Sequence, residues 1–273
     1  MVDQLSLRLE SGLPRLPLTL RPMLALPAPQ PFDAADHLFE PSWGGARALA
    51  FIEQAAAGDR PALRLLDDEG RDVAGLLPEL AHLAERFATD SVVADGELVV
   101  VDRMGHCDRR ALADRLRGHA GPPVAFLAFD LLYLNGRPLL NKPLARRRDL
   151  LRRTLRPGDE ALMVPAIAAE GRALYDAVVE AGIAGVMGRV LRSPYLPGVR
   201  SRLWRFVERG DVTARQAAED GGRAAEPAEP ADGPAGGSTD GSTNIPGGQP
   251  ADSTHANAPV LALIRRLPLD DAD

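Results

Sequence analysis

Apolar positions recur along the first two hundred residues in two rhythms, and both rhythms stop near Arg209. Ala48 to Glu53 and Leu63 to Leu66 are short apolar runs flanked by Gly58-Asp59-Arg60-Pro61 and Asp67-Asp68-Glu69-Gly70, which predicts two strands and a hairpin-like turn. Leu76, Leu77, Leu80, Leu83, Ala84 and Phe87 fall at the three- and four-residue spacing of one helix face, so an amphipathic helix is expected from Leu76 to Phe87. Val92 to Val101 reads as strand, acidic break at Asp95-Gly96-Glu97, and strand again. Val124 to Leu134 is nearly all apolar and ends at Asn135-Gly136, the pattern of a strand buried on both faces. Further helices are predicted within Asp102 to Gly118, from Pro143 to Leu151, and from Gly171 to Gly182 with Leu174, Val178 and Val179 inward.

Beyond Arg209 the pattern is gone. Asp211 to Pro259 contains no aromatic residue and is crowded with Ala, Gly, Pro, Ser, Asp and Glu. Such a stretch buries too little apolar surface to offset backbone entropy, so residues 210–273 are expected to form a disordered acidic tail. Within it, residues 260–267 (Val260 to Leu267) make a short apolar-basic island, either a docking peptide for a protein partner or a hydrophobic end without a role. Residues 1–20 are rich in Leu and Pro without a period and read as a loosely attached arm. The expected organisation is an arm at 1–20, one domain at 21–209, and the tail.

Composition sharpens this picture in three places. Aromatics are only 4% of the chain, so the core must rest on Leu, Val and Ala. The net charge of −6 equals the excess of eight acidic over two basic residues between 211 and 259, which leaves the body close to neutral. Lys142 is the single lysine, the other basic residues being arginine. No apolar run approaches the roughly 18 residues of a membrane span, and Met1 to Leu5 lacks the basic start of a signal peptide. One cysteine, Cys107, excludes an internal disulfide and a cysteine metal cluster, and a cytoplasmic protein is the simple reading.

The candidate chemistry centres on Glu40-Pro41-Ser42-Trp43-Gly44-Gly45-Ala46-Arg47, where two glycines predict a tight turn into a strand. This stretch resembles the nucleotide-binding signature Glu-Pro-Lys-Trp-Asp-Gly-x-Arg of the ATP-dependent DNA ligases, in the bacterial branch tied to end joining. Further matches follow in order: Asp95-Gly96-Glu97, Phe129-Asp130-Leu131-Leu132, Pro143-Leu144 with Arg147-Arg148, Gly185-Val186, and Ser193-Pro194-Tyr195-Leu196-Pro197-Gly198-Val199-Arg200-Ser201. The resemblance covers residues 21–209 and implies an α+β adenylation domain of the nucleotidyltransferase (ATP-grasp-like) fold, with mostly antiparallel sheets and packed helices. In active relatives an oligonucleotide-binding β-barrel follows, and no such series of strands is read after Arg209.

The departures matter as much as the matches. Ser42 stands where the family has its nucleophilic lysine, and Gly44 where it has Asp. Ala184 replaces a metal-binding Glu, and Arg189 a phosphate-binding Lys. Phe206 and Glu208 replace two further lysines, and Asp68 an arginine near the phosphates. The family uses ATP and Mg: a lysine amine attacks the α-phosphate, and the AMP passes to a 5′-phosphate at a nick. With that amine absent, no intact catalytic residue, no metal site and no functional cofactor are expected. Glu40, Arg47, Glu97, Phe129 and Arg189 are expected to line a vestigial nucleotide pocket, Phe129 at the position that stacks on adenine. Weak or absent DNA binding follows from the near-neutral body. Arg146, Arg147 and Arg153 read as a solvated helix face in preference to a DNA site. Three readings stay open: a pseudoenzyme kept as a binding or scaffolding module, an active ligase or other AMP-transferring enzyme with a non-lysine nucleophile, and a decaying gene product without a role.

Overall fold

The computed structural model describes residues 16–54 and 61–210, and the expectations for the first fifteen residues, the Gly58–Arg60 part of the turn and the tail lie outside them. The described chain is an α+β domain built on two sheets. One sheet runs β1 (Leu24–Pro27), β11 (Arg200–Glu208), β10 (Gly185–Val190), β2 (Ala34–Ser42), β9 (Ile167–Ala169) in spatial order. The other runs β4 (Ala62–Asp67), β3 (Ala46–Glu53), β5 (Ser91–Val99), β6 (Ala125–Leu134), β7 (Arg137–Pro138), with β8 (Ala161–Met163) also paired to β6. All pairings are antiparallel except β1 with β11 and β6 with β8. Among the described residues there is no second barrel, and no described helix is long and apolar enough to cross a membrane.

β6 is buried along its first eight residues, as its near-continuous apolar run requires, because both of its faces are covered. One face joins a core with Phe39, Trp43, Tyr195 and Trp204, and the other a second core with Leu77, Leu80, Leu83 and Phe87. Helix α1 (Arg109–Leu116) is capped by the Asp108 carboxylate, which accepts from the Ala111 N–H at 2.9 Å. Helices α2 (Leu144–Thr154) and α3 (Gly171–Glu180) complete the described helical set.

Several expectations need correction. The predicted helix from Leu76 to Phe87 is three short 3₁₀ turns, Ala74–Leu76, Pro78–Leu80 and Leu83–Arg86. Pro78 removes an N–H that a continuous helix would need, while Leu77, Leu80 and Leu83 still turn inward and Leu76 stays half-buried. The acidic break in β5 does not exist: Asp95, Gly96 and Glu97 sit within one strand, with pairing shifts at Val93/Ala94 and Asp95/Gly96. Arg147 is not on a solvated face. It is fully buried and makes paired 2.8 Å hydrogen bonds to Asp130, while Arg146 and Arg153 are exposed. The arm is anchored at its end, since Leu16 is buried and the Leu18 carbonyl accepts from Arg64 at 2.7 Å.

Candidate functional site

β2 ends at Ser42 and the chain crosses from one sheet to the other through Trp43-Gly44-Gly45 before entering β3. The crossing needs both glycines. Gly44 has φ of +75°, and a Cβ on Gly45 would collide with the Leu98 backbone. At this crossing lies a cleft of about 180 Å³. Glu40, Ser42, Met187 and Arg189 line it from the first sheet, and Arg47, Glu97 and Phe129 from the second. All six residues singled out in the sequence therefore meet in one place.

The interior of this cleft is occupied by its own side chains. The Arg189 guanidinium lies 4.2 Å from the centroid of the Phe129 ring and 4.6 Å from that of Trp204. It also ion-pairs with Glu40, whose other oxygen accepts from Arg148. Arg148 further donates to the Phe129 carbonyl at 2.9 Å and the Val164 carbonyl at 2.8 Å. Burial brings the Arg189 guanidinium down to about 9 and that of Arg148 down to about 10. On a second approach to Phe129, the Arg47 guanidinium stands 4.6 Å from the ring centroid. Arg47 makes a two-pronged bond to Asp95 at 2.5 and 2.6 Å, and Asp95 also accepts from the Tyr195 hydroxyl at 2.7 Å. Burial opposes the charge on Arg47, but the Asp95 carboxylate beside it outweighs burial and raises its pKa.

The carboxylates are all committed. Glu40 faces two guanidiniums, and Asp95 faces Arg47 and Tyr195. Glu97 accepts from the Gly45 N–H, and burial pushes its carboxyl above the usual carboxylate range. A magnesium ion does not fit this donor set. Gly44 and Ala184 carry no ligand atom, and the Arg109 guanidinium packs against Gly44. Among the described residues no group of three or more His, Cys, Asp or Glu is placed to hold a metal. Phe206 pairs in register with Met187, and Glu208 with Gly185, so β11 brings an aromatic ring and an exposed carboxylate beside β10. Arg148, Asp95 and Tyr195 were not read as site residues. Their signal lay in the quoted motifs, but which arginine of Arg146-Arg147-Arg148 turns inward depends on helix phase.

A family model described as the ATP dependent DNA ligase domain matches residues 22–206. The multifunctional non-homologous end joining DNA repair protein LigD of Mycobacterium tuberculosis is 36% identical over 171 residues, 63% of this chain and 21% of that protein. A probable DNA ligase of Saccharopolyspora erythraea is 33% identical over 206 residues, 74% of this chain and 39% of its own length. The chain thus spans about a fifth of the length of the LigD relatives it matches. Among solved structures, mycobacterial DNA ligase D complexed with ATP and MES superposes with a TM-score of 0.60 at 31% identity, covering 70% of this chain and 61% of that one. The ligase domain of Mycobacterium tuberculosis LigD superposes with a TM-score of 0.58 at 33% identity, covering 68% and 58%.

Proposed function

Because the chain belongs to the family of the ATP-dependent DNA ligase domain, we propose that it is a catalytically silent member, retained as a binding or scaffolding module of the DNA-repair lineage. The observation that carries this reading is the side chain that the cleft presents where the reaction needs an amine: Ser42 lines it, and exposed Lys142 does not. A hydroxyl needs an adjacent base to become a nucleophile. Both carboxylates lining the cleft are engaged, Glu40 by two arginines and Glu97 by the Gly45 N–H.

The rest of the site supports the same reading. Phe129, at the position that would stack on a purine, is 5% exposed and already carries two guanidiniums within 5 Å of its ring centroid. A cleft of about 180 Å³ is small beside the roughly 300–1,000 Å³ usual for small-molecule sites. Weak DNA binding belongs to the proposal, since exposed Asp68 and Glu208 stand where cations would meet phosphates.

The test is incubation of the purified full chain with labelled ATP and magnesium. No covalent AMP is expected on the protein. Stable labelling would overturn the proposal and favour an AMP-transferring enzyme with a non-lysine nucleophile.

A further inference from the structure

Residues 16–27 run into β1, the edge strand of the first sheet, and Leu16 and Met23 are their apolar pegs in the core. The pairing of β1 with β11 is interrupted. Leu24 and Ala25 face Arg200 and Ser201, whereas Leu26 and Pro27 face Arg205 and Phe206, so Arg202, Leu203 and Trp204 are skipped. What fixes the segment at Met23 is a closed ring of hydrogen bonds. The Met23 N–H donates to the Tyr195 hydroxyl at 2.9 Å, and that hydroxyl donates to Asp95 Oδ2 at 2.7 Å. The same carboxylate oxygen accepts from Arg47 Nη2 at 2.6 Å, and Nη2 also reaches the Met23 carbonyl at 3.3 Å. Both main-chain polar groups of Met23 thus find their partners in side chains.

Of the four members, Met23, Asp95 and Tyr195 are shut off from solvent, while 20% of the Arg47 side chain is exposed on the wall of the Ser42 cleft. Arg47 is therefore the member through which the cleft can act on the ring. Its donors lie in one rigid plane, so it cannot turn to a new partner in the cleft and keep its hold on both Asp95 and Met23. We propose that residues 16–27 form a strap latched by Arg47: an occupant of the cleft that takes up the Arg47 donors undocks the strap and bares the edge of β11. A buried N–H or C=O left unpaired is costly, so loss of one link favours exit of the Met23 peptide to water. The other side-chain ties resist little. Arg200 donates to the Ala25 carbonyl and Arg205 to the Pro27 carbonyl at the exposed surface, where water competes. With β1 gone, β11 becomes an open edge able to accept an added strand. The latch uses none of Ser42, Gly44, Ala184, Phe206 and Glu208, so it holds for a silent domain and an active one alike.

Arg47→Lys in the full chain stands in for an Arg47 drawn away, because it keeps the charge and loses the fork. Hydrogen exchange read by mass spectrometry should show residues 23–28 exchanging about tenfold faster or more, the equivalent of one charged hydrogen bond. Protection of β6 and α2 should not change. Tyr195→Phe should speed the same residues, and the double variant should go no further than the faster single one, since either change opens the same ring. Unchanged exchange of the strap in Arg47→Lys, equal acceleration across the whole domain, or additive effects in the double variant would each overturn the latch. Should Arg47→Lys fail to fold, Tyr195→Phe decides through the Arg47 Nε–H resonance in NMR spectra. A shift is expected there, and an unmoved resonance overturns the latch.

Discussion

The Arg189 guanidinium lies over the Phe129 ring, 4.2 Å from its centroid, and its charge is paired with Glu40. Together they make an internal ligand, a planar cationic group stacked where the family is expected to stack a purine. Arg189→Ala should open that slot while leaving Glu40 with Arg148 as its one remaining partner. A stability loss of about 1.5–3 kcal/mol is expected from the lost charged contact with Glu40. Urea denaturation would read the loss, and a variant as stable as the parent would show that the pair contributes nothing. Arg189→Lys should cost as much or nearly so, because an ammonium lacks the flat fork that both stacks and pairs.

Arg147 and Asp130 form the deepest ion pair of the domain, both fully buried and joined by two 2.8 Å bonds. The Lys142 and Ser193 carbonyls take the remaining donors at 2.6 and 2.9 Å. Truncating one member strands the other, a loss of about 3–5 kcal/mol. Arg147→Ala should therefore bring the denaturation midpoint down sharply. Arg146→Ala and Arg153→Ala, on the exposed face of the same helix, should stay within about 0.5 kcal/mol of the parent. Equal effects at all three positions would contradict the packing described.

Much of this was legible because glycines, prolines and apolar runs carry local information. The Gly44-Gly45 turn, buried β6 and helices α2 and α3 stand close to where their patterns placed them. The six cleft residues also meet, although they come from five strands. What the pattern could not carry was long-range pairing. Arg147 looks like its neighbours until Asp130, seventeen residues away, turns it inward. Asp95-Gly96-Glu97 looks like a turn until β3 and β6 pair on both sides and hold it extended. At Leu76 to Phe87 the three-and-four spacing was real, yet Pro78 divides the segment into 3₁₀ turns that bury Leu77, Leu80 and Leu83 and leave Leu76 half-buried.

Glu97 supplies a pH prediction. Burial raises its carboxyl pKa in the folded state above the unfolded value, so the folded chain binds more protons between those two values. Stability from this group is present below the unfolded pKa and is lost as pH rises through the folded one. Asp130, also raised by burial, contributes with the same sign. Glu97→Gln keeps an acceptor for the Gly45 N–H and removes the titration. Melting temperatures of parent and variant should differ little near pH 4 and diverge by pH 8, the variant being the more stable. A constant difference across that range would refute the assignment.

The tail proposal concerns the stretch after Arg209, where composition alone speaks. Limited proteolysis of the full chain should leave a resistant fragment ending near Arg209, and a chain shortened there should melt at the parent temperature. Protection of the tail equal to that of the body would refute the proposed boundary.

Restoring the missing amine alone should not restore self-adenylation. Ser42→Lys would place a long flexible side chain into a cleft of about 180 Å³ whose aromatic wall is already covered by Arg189 and Arg47. The phosphate side would still lack help. Gly44 and Ala184 offer no metal ligand, Arg109 places a guanidinium against Gly44, and Phe206 and Glu208 supply a ring and a carboxylate in place of cations. Charge developing on transferring phosphoryl oxygens is neutralised by such groups jointly, and removing one typically costs on the order of 10²–10³ in rate. The combined change Ser42→Lys, Gly44→Asp, Ala184→Glu, Arg189→Lys, Phe206→Lys and Glu208→Lys should outperform the single one. It removes one of the two guanidiniums on Phe129 and rebuilds the metal and phosphate contacts together. At Gly44, the positive φ and the crowding by Arg109 make Asp the most strained of the six, so a version keeping Gly44 belongs beside it. Covalent AMP from labelled ATP and magnesium is the measurement: none is expected for Ser42→Lys, and measurable incorporation for the combined variants. Strong labelling of the single variant would mean that Arg189 swings off Phe129 at little cost, and the internally filled slot would then be no barrier to nucleotide.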